Sequence, residues 1–325
     1  MTTKSVFTIN EVKNLNSSEI IIKNISTNEY ISILPEYGAR LKELWLNNGK
    51  RNISILKKVS KINSEERDDI FANAKLSPFA GRIKDGSYIF NDVGYNLPIN
   101  YPEENNACHG YIYPKKFKVT EKKIYSDNAF CKLEYIYDGD VKGYPFKYSI
   151  EIAYKLSVLE GLICSTNIIN HSGNAMPLSD GWHHYFDLGI RVDDLQMKLD
   201  VSELIELDSR NIPTGNKKIF TDFSNLEKIG DNKFDSCFKV KSTLSRAVTK
   251  LISPEDGIYL DIWQETGKNK YEYLVIYTPP GRKSIAVEPI TSNINSFNNK
   301  DGLMVLAPEE KFIAGFGISL NKIQI

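Results

Sequence analysis

Histidine, methionine and tryptophan are scarce in this sequence, numbering 4, 4 and 3 among 325 residues. The histidines stand at 109, 171, 183 and 184, so no His-x-x-x-His pair exists. The four cysteines, Cys108, Cys131, Cys164 and Cys237, form no Cys-x-x-Cys. Both usual zinc spacings and the thioredoxin-like redox motif are therefore missing, and no metal is expected. Walker, Gly-x-Gly-x-x-Gly and Gly-x-Ser-x-Gly signatures are also missing, so no nucleotide cofactor and no α/β-hydrolase elbow are expected. Neither sign of charge is in excess: 41 basic residues balance 41 acidic ones, with a pI near 6.9. Proteins that track nucleic-acid phosphates or basic membrane surfaces carry a basic surplus, so neither partner is expected. No run of about 18 apolar residues is present, which excludes a transmembrane helix. The opening MTTKSVFTINEVKNLN lacks the apolar core of a secretory leader. With scattered cysteines, this points to a reducing compartment and a cytoplasmic location.

What is present is alternation. Phe146, Tyr148, Ile150, Ile152, Tyr154 and Leu156 are interleaved with Lys147, Ser149, Glu151, Ala153 and Lys155. Successive side chains of a strand point to opposite faces, so this run predicts a strand with one apolar face. The same period recurs at Cys131, Leu133, Tyr135 and Tyr137, and at Phe312, Ala314, Phe316, Ile318 and Leu320. The pairs Asn48-Gly49, Asp85-Gly86, Asp138-Gly139, Asp256-Gly257 and Asp301-Gly302 supply tight turns, because both residue types tolerate positive φ. Helical signals are confined to residues 64–74, where Ser64 would act as N-cap. No composition shift or repeat marks a boundary. The expectation is an all-β chain, one large antiparallel β-sandwich forming a single domain over 1–325.

Five segments could carry chemistry. In Trp182-His183-His184-Tyr185-Phe186 the adjacent histidines must face opposite ways on a strand, so they cannot share one site. One face would carry His183 and Tyr185, the other Trp182, His184 and Phe186. Such a strand suits either a core histidine with a solvated neighbour or an aromatic-lined sugar site. His109 precedes Gly110, which suits a turn or close approach of a ligand. Glu288 ends the apolar run Ile285-Ala286-Val287 before Pro289; it is either an exposed strand-end carboxylate or a buried base with a raised pKa. Arg82 and Asp235 read equally as surface charges or as partners for hydroxyls. His171, in Asn170-His171-Ser172-Gly173, reads as a turn residue.

In this order and spacing the segments resemble the aldose 1-epimerase (galactose mutarotase-like) family, over about Tyr37 to Phe316. SPFAGRIKDGSYIFNDVGYNLP is similar to the family's arginine stretch, NNACHGYIY to its Asn-x-x-His-Gly, HHYFDL to its His-x-Tyr-Phe-Asn-Leu, FDSCF to its Asp-x-x-Phe, and EPITSNINSFN to its Glu-Pro-x-Thr. The resemblance implies a large β-sandwich and a cofactor-free reaction on a small-molecule sugar. It implies Glu288 as base, His183 as acid, and His109, Arg82, Asp235 and Trp182 as sugar-binding residues. Tyr111 stands where typical members have a second glycine, and Asp187 where they have asparagine. Trp182 before the histidine is similar to a broader mutarotase-related branch.

The implied reaction interconverts the α and β anomers of a hexose. An acid–base pair with His183 protonated and Glu288 ionised predicts a bell-shaped pH profile, and a flat rate from about pH 5 to 9 would oppose it. Two alternatives stand: a hexose-6-phosphate 1-epimerase, with Arg40, Arg51 and Lys84 as candidates for a basic pocket, and a non-catalytic carbohydrate-binding protein on the same fold.

Overall fold

The computed structural model describes residues 6–13, 17–59, 70–241 and 243–323. Two large antiparallel sheets dominate it. The first has nine strands in the order Lys118–Ile124, Asn128–Tyr137, Tyr148–Ser157, Gly161–Asn170, Lys311–Lys322, Ile258–Glu265, Arg246–Ser253, Gln196–Leu199 and Glu227–Lys228. The second has seven, in the order Pro213–Ile219, Val201–Leu207, Asp235–Val240, Tyr273–Tyr277, Ile285–Ile290, Gly181–Phe186 and Ala74–Leu76. A five-stranded sheet runs from Phe7–Lys13 through Ser18–Asn24, Tyr30–Leu34 and Arg40–Asn47 to Asn52–Ser54. This is the antiparallel β-sandwich that alternation and turn chemistry predicted.

The three alternating runs form strands as expected, and Tyr148, Ile150, Ile152, Tyr154 and Leu156 are all buried. The five turn glycines all adopt positive φ, where a Cβ would strain the backbone. Residues 64–69 of the expected helix lie outside the described residues, and Ala74 instead opens the strand Ala74–Leu76. A single helical turn, Ser296–Asn299, inserts Phe297 among Phe79, Tyr88 and Tyr144. Among the described residues no helix is long and apolar enough to cross a membrane.

The inner face of the seven-stranded sheet joins the main core through Trp182, Phe186, Phe238, Leu274, Ile276, Ile285 and Val287. Its outer face is covered by loops, where Phe71, Ala80 and Ile294 pack on Ala74, Leu76, Val275 and Ile290. Gly181–Phe186 and Ile285–Ile290 are consequently buried on both faces along their whole length. That explains why Ile285 to Ile290 reads as a nearly continuous apolar run.

Behind these strands lies a fully buried ion pair between Lys75 and Asp180. Lys75 is the cross-strand partner of Trp182, and its ammonium sits 4.3 Å from that ring's centroid. Tyr271 donates to Asp180 Oδ2 at 3.1 Å and accepts from Trp182 Nε1 at 2.9 Å. The backbones of Asp180 and Thr291 are joined at 2.9 Å, with the Thr291 hydroxyl accepting from the Asp180 N–H at 2.9 Å. Asp180 thereby ties together the ends of three adjacent strands. Burial lowers the Lys75 pKa to about 8 against the attraction of Asp180, and raises that of Asp180 against the attraction of Lys75. In both groups desolvation outweighs mutual attraction, so the pair holds geometry more than it adds stability. Lys75→Met, which leaves Asp180 uncompensated, is expected to cost about 3–5 kcal/mol in urea denaturation, and Lys75→Met/Asp180→Leu to regain most of that loss.

Candidate active site

The antiparallel pairing of Gly181–Phe186 with Ile285–Ile290 sets Gly181 opposite Ile290 and His184 opposite Val287. Between these points lies Pro289, which has no N–H to give the ladder. The same register brings His183 beside Glu288, with Nε2 and Oε1 3.3 Å apart. Val275 pairs with Glu288 on the other side, and Asp235 pairs with Tyr277, which pairs with Ala286. Directly opposed residues share a face, so Asp235, Tyr277, Glu288, His183 and Tyr185 all project from the outer face. Asn73 secures this strand: its N–H donates to His183 O at 2.8 Å, and its side-chain oxygen accepts from the Tyr185 N–H at 3.0 Å.

Loops complete the enclosure. The two-stranded ribbon of Arg82–Lys84 with Asn106–Cys108 places Arg82 opposite Cys108, immediately before His109. Gly81 and His109 exchange two bonds: the His109 N–H donates to Gly81 O at 2.9 Å, and His109 Nδ1 accepts from the Gly81 N–H at 3.3 Å. An accepting Nδ1 puts the proton of the neutral ring on Nε2. The His109 ring lies 4.6 Å from Phe71 and 5.2 Å from His183, centroid to centroid. Gly110, at φ +66°, runs so close to Ser77 that a Cβ would stand 2.1 Å from its carbonyl oxygen. Only glycine fits there, and it fixes His109 over the sheet.

The result is a cleft of about 120 Å³, partly open to solvent. His183, Glu288, His109, Arg82 and Asp235 all line it. Five of the six residues singled out in the sequence are thus brought together. Trp182 is the exception. It faces the inner core, fully buried among Lys75, Tyr154, Tyr271 and Phe316, and is corrected from sugar-stacking residue to core residue. Strand alternation is the reason, since the neighbour of a cleft-facing His183 must point away. Aromatic walls come instead from Phe71, Tyr101, Tyr185 and Tyr277.

The proposed basic pocket is also corrected. Buried Arg40 donates to Ile70 O at 2.5 Å, Arg51 pairs with Asp256 at 2.7 Å on the surface, and Lys84 is exposed. None of the three lines the cleft. Sequence reasoning missed Glu104, whose carboxylate takes the Arg82 guanidinium in a two-point contact. The polar run Glu103 to Asn106 was the available signal, but only the ribbon shows which residue turns inward. Among the described residues no group of three or more His, Cys, Asp and Glu side chains is placed to hold a metal ion.

Burial governs the protonation states. It drives the Glu288 pKa well above the ordinary carboxylate value, with Asp235 adding to the rise and Arg82 opposing it. It lowers His183 to about 3 and His109 well below its ordinary value. Burial therefore favours neutral His183 and protonated Glu288 over the ion pair. Taking two charges out of water costs more than a 3.3 Å contact returns.

The fold is of the galactose mutarotase-like type. Similar solved structures are a galactose mutarotase-like protein from Clostridium acetobutylicum (TM-score 0.83, 25% identity, 97% of this chain and 99% of that one) and a galactose 1-epimerase from Lactobacillus acidophilus (TM-score 0.81, 18% identity, 99% and 100%). The chain belongs to the aldose 1-epimerase family, whose model matches residues 24–319. Among curated relatives, the uncharacterized protein YihR of Escherichia coli is 24% identical over 71% of this chain and 73% of its own length. An aldose 1-epimerase of Streptococcus thermophilus is 29% identical over 54% of this chain and 53% of its own.

Buried neutral histidines also predict acid lability. His184, fully buried on the inner face between Trp182 and Phe316, is held by burial to about 3 as well. Unfolded histidines bind protons below about pH 6.5 that folded His183 and His184 refuse until about pH 3. Stability is thus expected to fall as the pH falls across that window. Urea denaturation against pH should show it, with a slope reduced by one proton in His184→Leu.

Proposed function

We propose that the protein is an aldose 1-epimerase that interconverts the α and β anomers of a hexose. The observation that carries this reading is the His183–Glu288 pair, 3.3 Å apart and buried in a cleft with polar and aromatic walls. An acid and a base in one site are what ring opening and closure require. Family membership supports the reaction class.

In the proposed sequence, Glu288 takes the proton of the anomeric hydroxyl as His183 protonates the ring oxygen. The bond between the anomeric carbon and the ring oxygen breaks, leaving an open-chain aldehyde. Rotation about the adjacent carbon–carbon bond presents the other carbonyl face. The ring oxygen then attacks that face, its proton returns to His183, and Glu288 gives its proton back to the anomeric oxygen. Nε2–H of His109 is available to a sugar oxygen, and Arg82 and Asp235 hold hydroxyls. No atom is gained or lost, and the sequence needs no cofactor.

The pair needs one proton in total. At rest that proton sits on Glu288. Sugar hydroxyls that donate to the Glu288 carboxylate stabilise its ionised form, which moves the proton across to His183 on binding. The productive, singly protonated pair extends from the His183 value of about 3 to the raised value of Glu288. The bell expected from sequence is thus bounded by these two values.

For the phosphorylated alternative, the lining offers little: carboxylates Glu104, Asp235 and Glu288 face the single guanidinium of Arg82.

Polarimetry of freshly dissolved α-glucose and α-galactose is the direct test. The wild type should accelerate mutarotation, and Glu288→Gln and His183→Asn should each lose about 10²- to 10⁴-fold. Sugar binding without acceleration would instead identify a non-catalytic carbohydrate-binding protein. The kcat/KM profile should have its acid limb far below the ordinary histidine pKa and its alkaline limb above the ordinary carboxylate range. An acid limb centred near the ordinary histidine pKa of about 6.5 would refute the assignment of protonation states.

A further inference from the structure

Arg82 stands in the cleft with its charge already answered. Glu104 Oε2 accepts from Arg82 Nε and Oε1 from Nη2, the latter at 3.2 Å. Planar two-point contacts of this kind are the strongest a guanidinium makes, and they match what Arg82 would offer to a carboxylate or phosphate on a ligand. The Glu104 side chain is 19% exposed and that of Arg82 12%, so water screens the pair poorly.

Glu104 is also held from behind. Asn211 Nδ2 donates to Glu104 Oε1 at 3.2 Å and to Asp235 Oδ2 at 3.3 Å, and Asn106 Nδ2 lies 3.4 Å from Glu104 Oε2. Arg210 supports the same turn by donating to the backbone oxygens of Glu104 and Asn105 at 2.8 and 3.0 Å. The Tyr101 ring packs 5.3 Å from the Arg82 guanidinium carbon and closes its other side. Four segments distant in sequence thus converge to fix one carboxylate on one cation. Glu104 and Asp235 both line the cleft beside Arg82.

We propose that Glu104 is a specificity-determining residue: it occupies the Arg82 fork and places negative charge beside it, restricting the cleft to uncharged sugars and excluding hexuronates and sugar phosphates. Arg82 keeps Nη1 for a sugar hydroxyl, and the Glu104 and Asp235 carboxylates accept from others. An anionic sugar would have to displace Glu104 from Arg82 and then lie against two carboxylates. Selectivity built from repulsion as well as attraction is a general device of binding sites. The inference rests on the epimerase reading for the site's role in catalysis, but its core, the choice between neutral and anionic ligands, is a property of binding.

The test compares the wild type with Glu104→Gln and Glu104→Ala. Affinity for glucose, glucuronate and glucose 6-phosphate is read by titration calorimetry, and anomer exchange of the same sugars by NMR. The wild type should favour glucose over both anions. Both variants should shift the anion-to-glucose affinity ratio toward the anions by at least about tenfold, the scale of one hydrogen-bonded charge contact. In Glu104→Gln the gain should appear as a lower KM for the anionic sugars. An unchanged ratio in folded variants, or a wild type that binds the anions as well as glucose, would overturn the proposal. A shifted affinity ratio without anomer exchange by any form would uphold the charge filter while sinking the epimerase reading.

Discussion

The site depends on the register between Gly181–Phe186 and Ile285–Ile290. Side chains alternate strictly along a strand, so a slip of Gly181–Phe186 by one residue would send His183 to the inner core and bring His184 beside Glu288. The register is held where it most needs to be. The ladder loses a donor at Pro289, and just beyond it Asp180 and Thr291 lock the two strand ends together. Lys75 and Tyr271 bind Asp180 from the core side, while Asn73 clamps the opposite end of the strand. The buried ion pair is therefore best understood as a geometric constraint on two strands that present His183 and Glu288 on their other face.

Desolvation is the second theme, and it acts on both sides of the same strand. On the inner face it leaves His184 neutral and weakens both ions of the Lys75–Asp180 pair. On the outer face it drives Glu288 and His183 in opposite directions, leaving one proton on two adjacent groups. One proton on a closely coupled pair belongs to the pair rather than to either residue. In the same cleft the Arg82 guanidinium, only 12% exposed, is paired with Glu104.

Much of this protein was legible along the chain. The period of two at 146–156 and 312–320 and the Asn-Gly and Asp-Gly turns announced antiparallel sheets, because pleat and positive φ are local properties. The opposed faces of His183 and His184 followed from the same rule. It also contained the correction for Trp182: a residue next to a cleft-facing histidine cannot face the cleft. The five residues that do converge come from strands and loops separated by up to 206 positions, from Arg82 to Glu288. Their types suggested chemistry, and the family resemblance joined them.

Residue type and local pattern by themselves determined the strands, the turns and which residues could serve as acid, base or cation. Tertiary structure alone decided how those groups would behave. Burial in the fold lowers the His183 pKa and raises that of Glu288, because solvation depends on what packs around a group and not on its neighbours in the chain. Arg82 read as an open donor, yet it is taken by Glu104, 22 residues away, through a ribbon whose pairing no local signal encodes. Long-range register and burial are collective properties of the packed sheets, and they turned a set of plausible residues into a particular site.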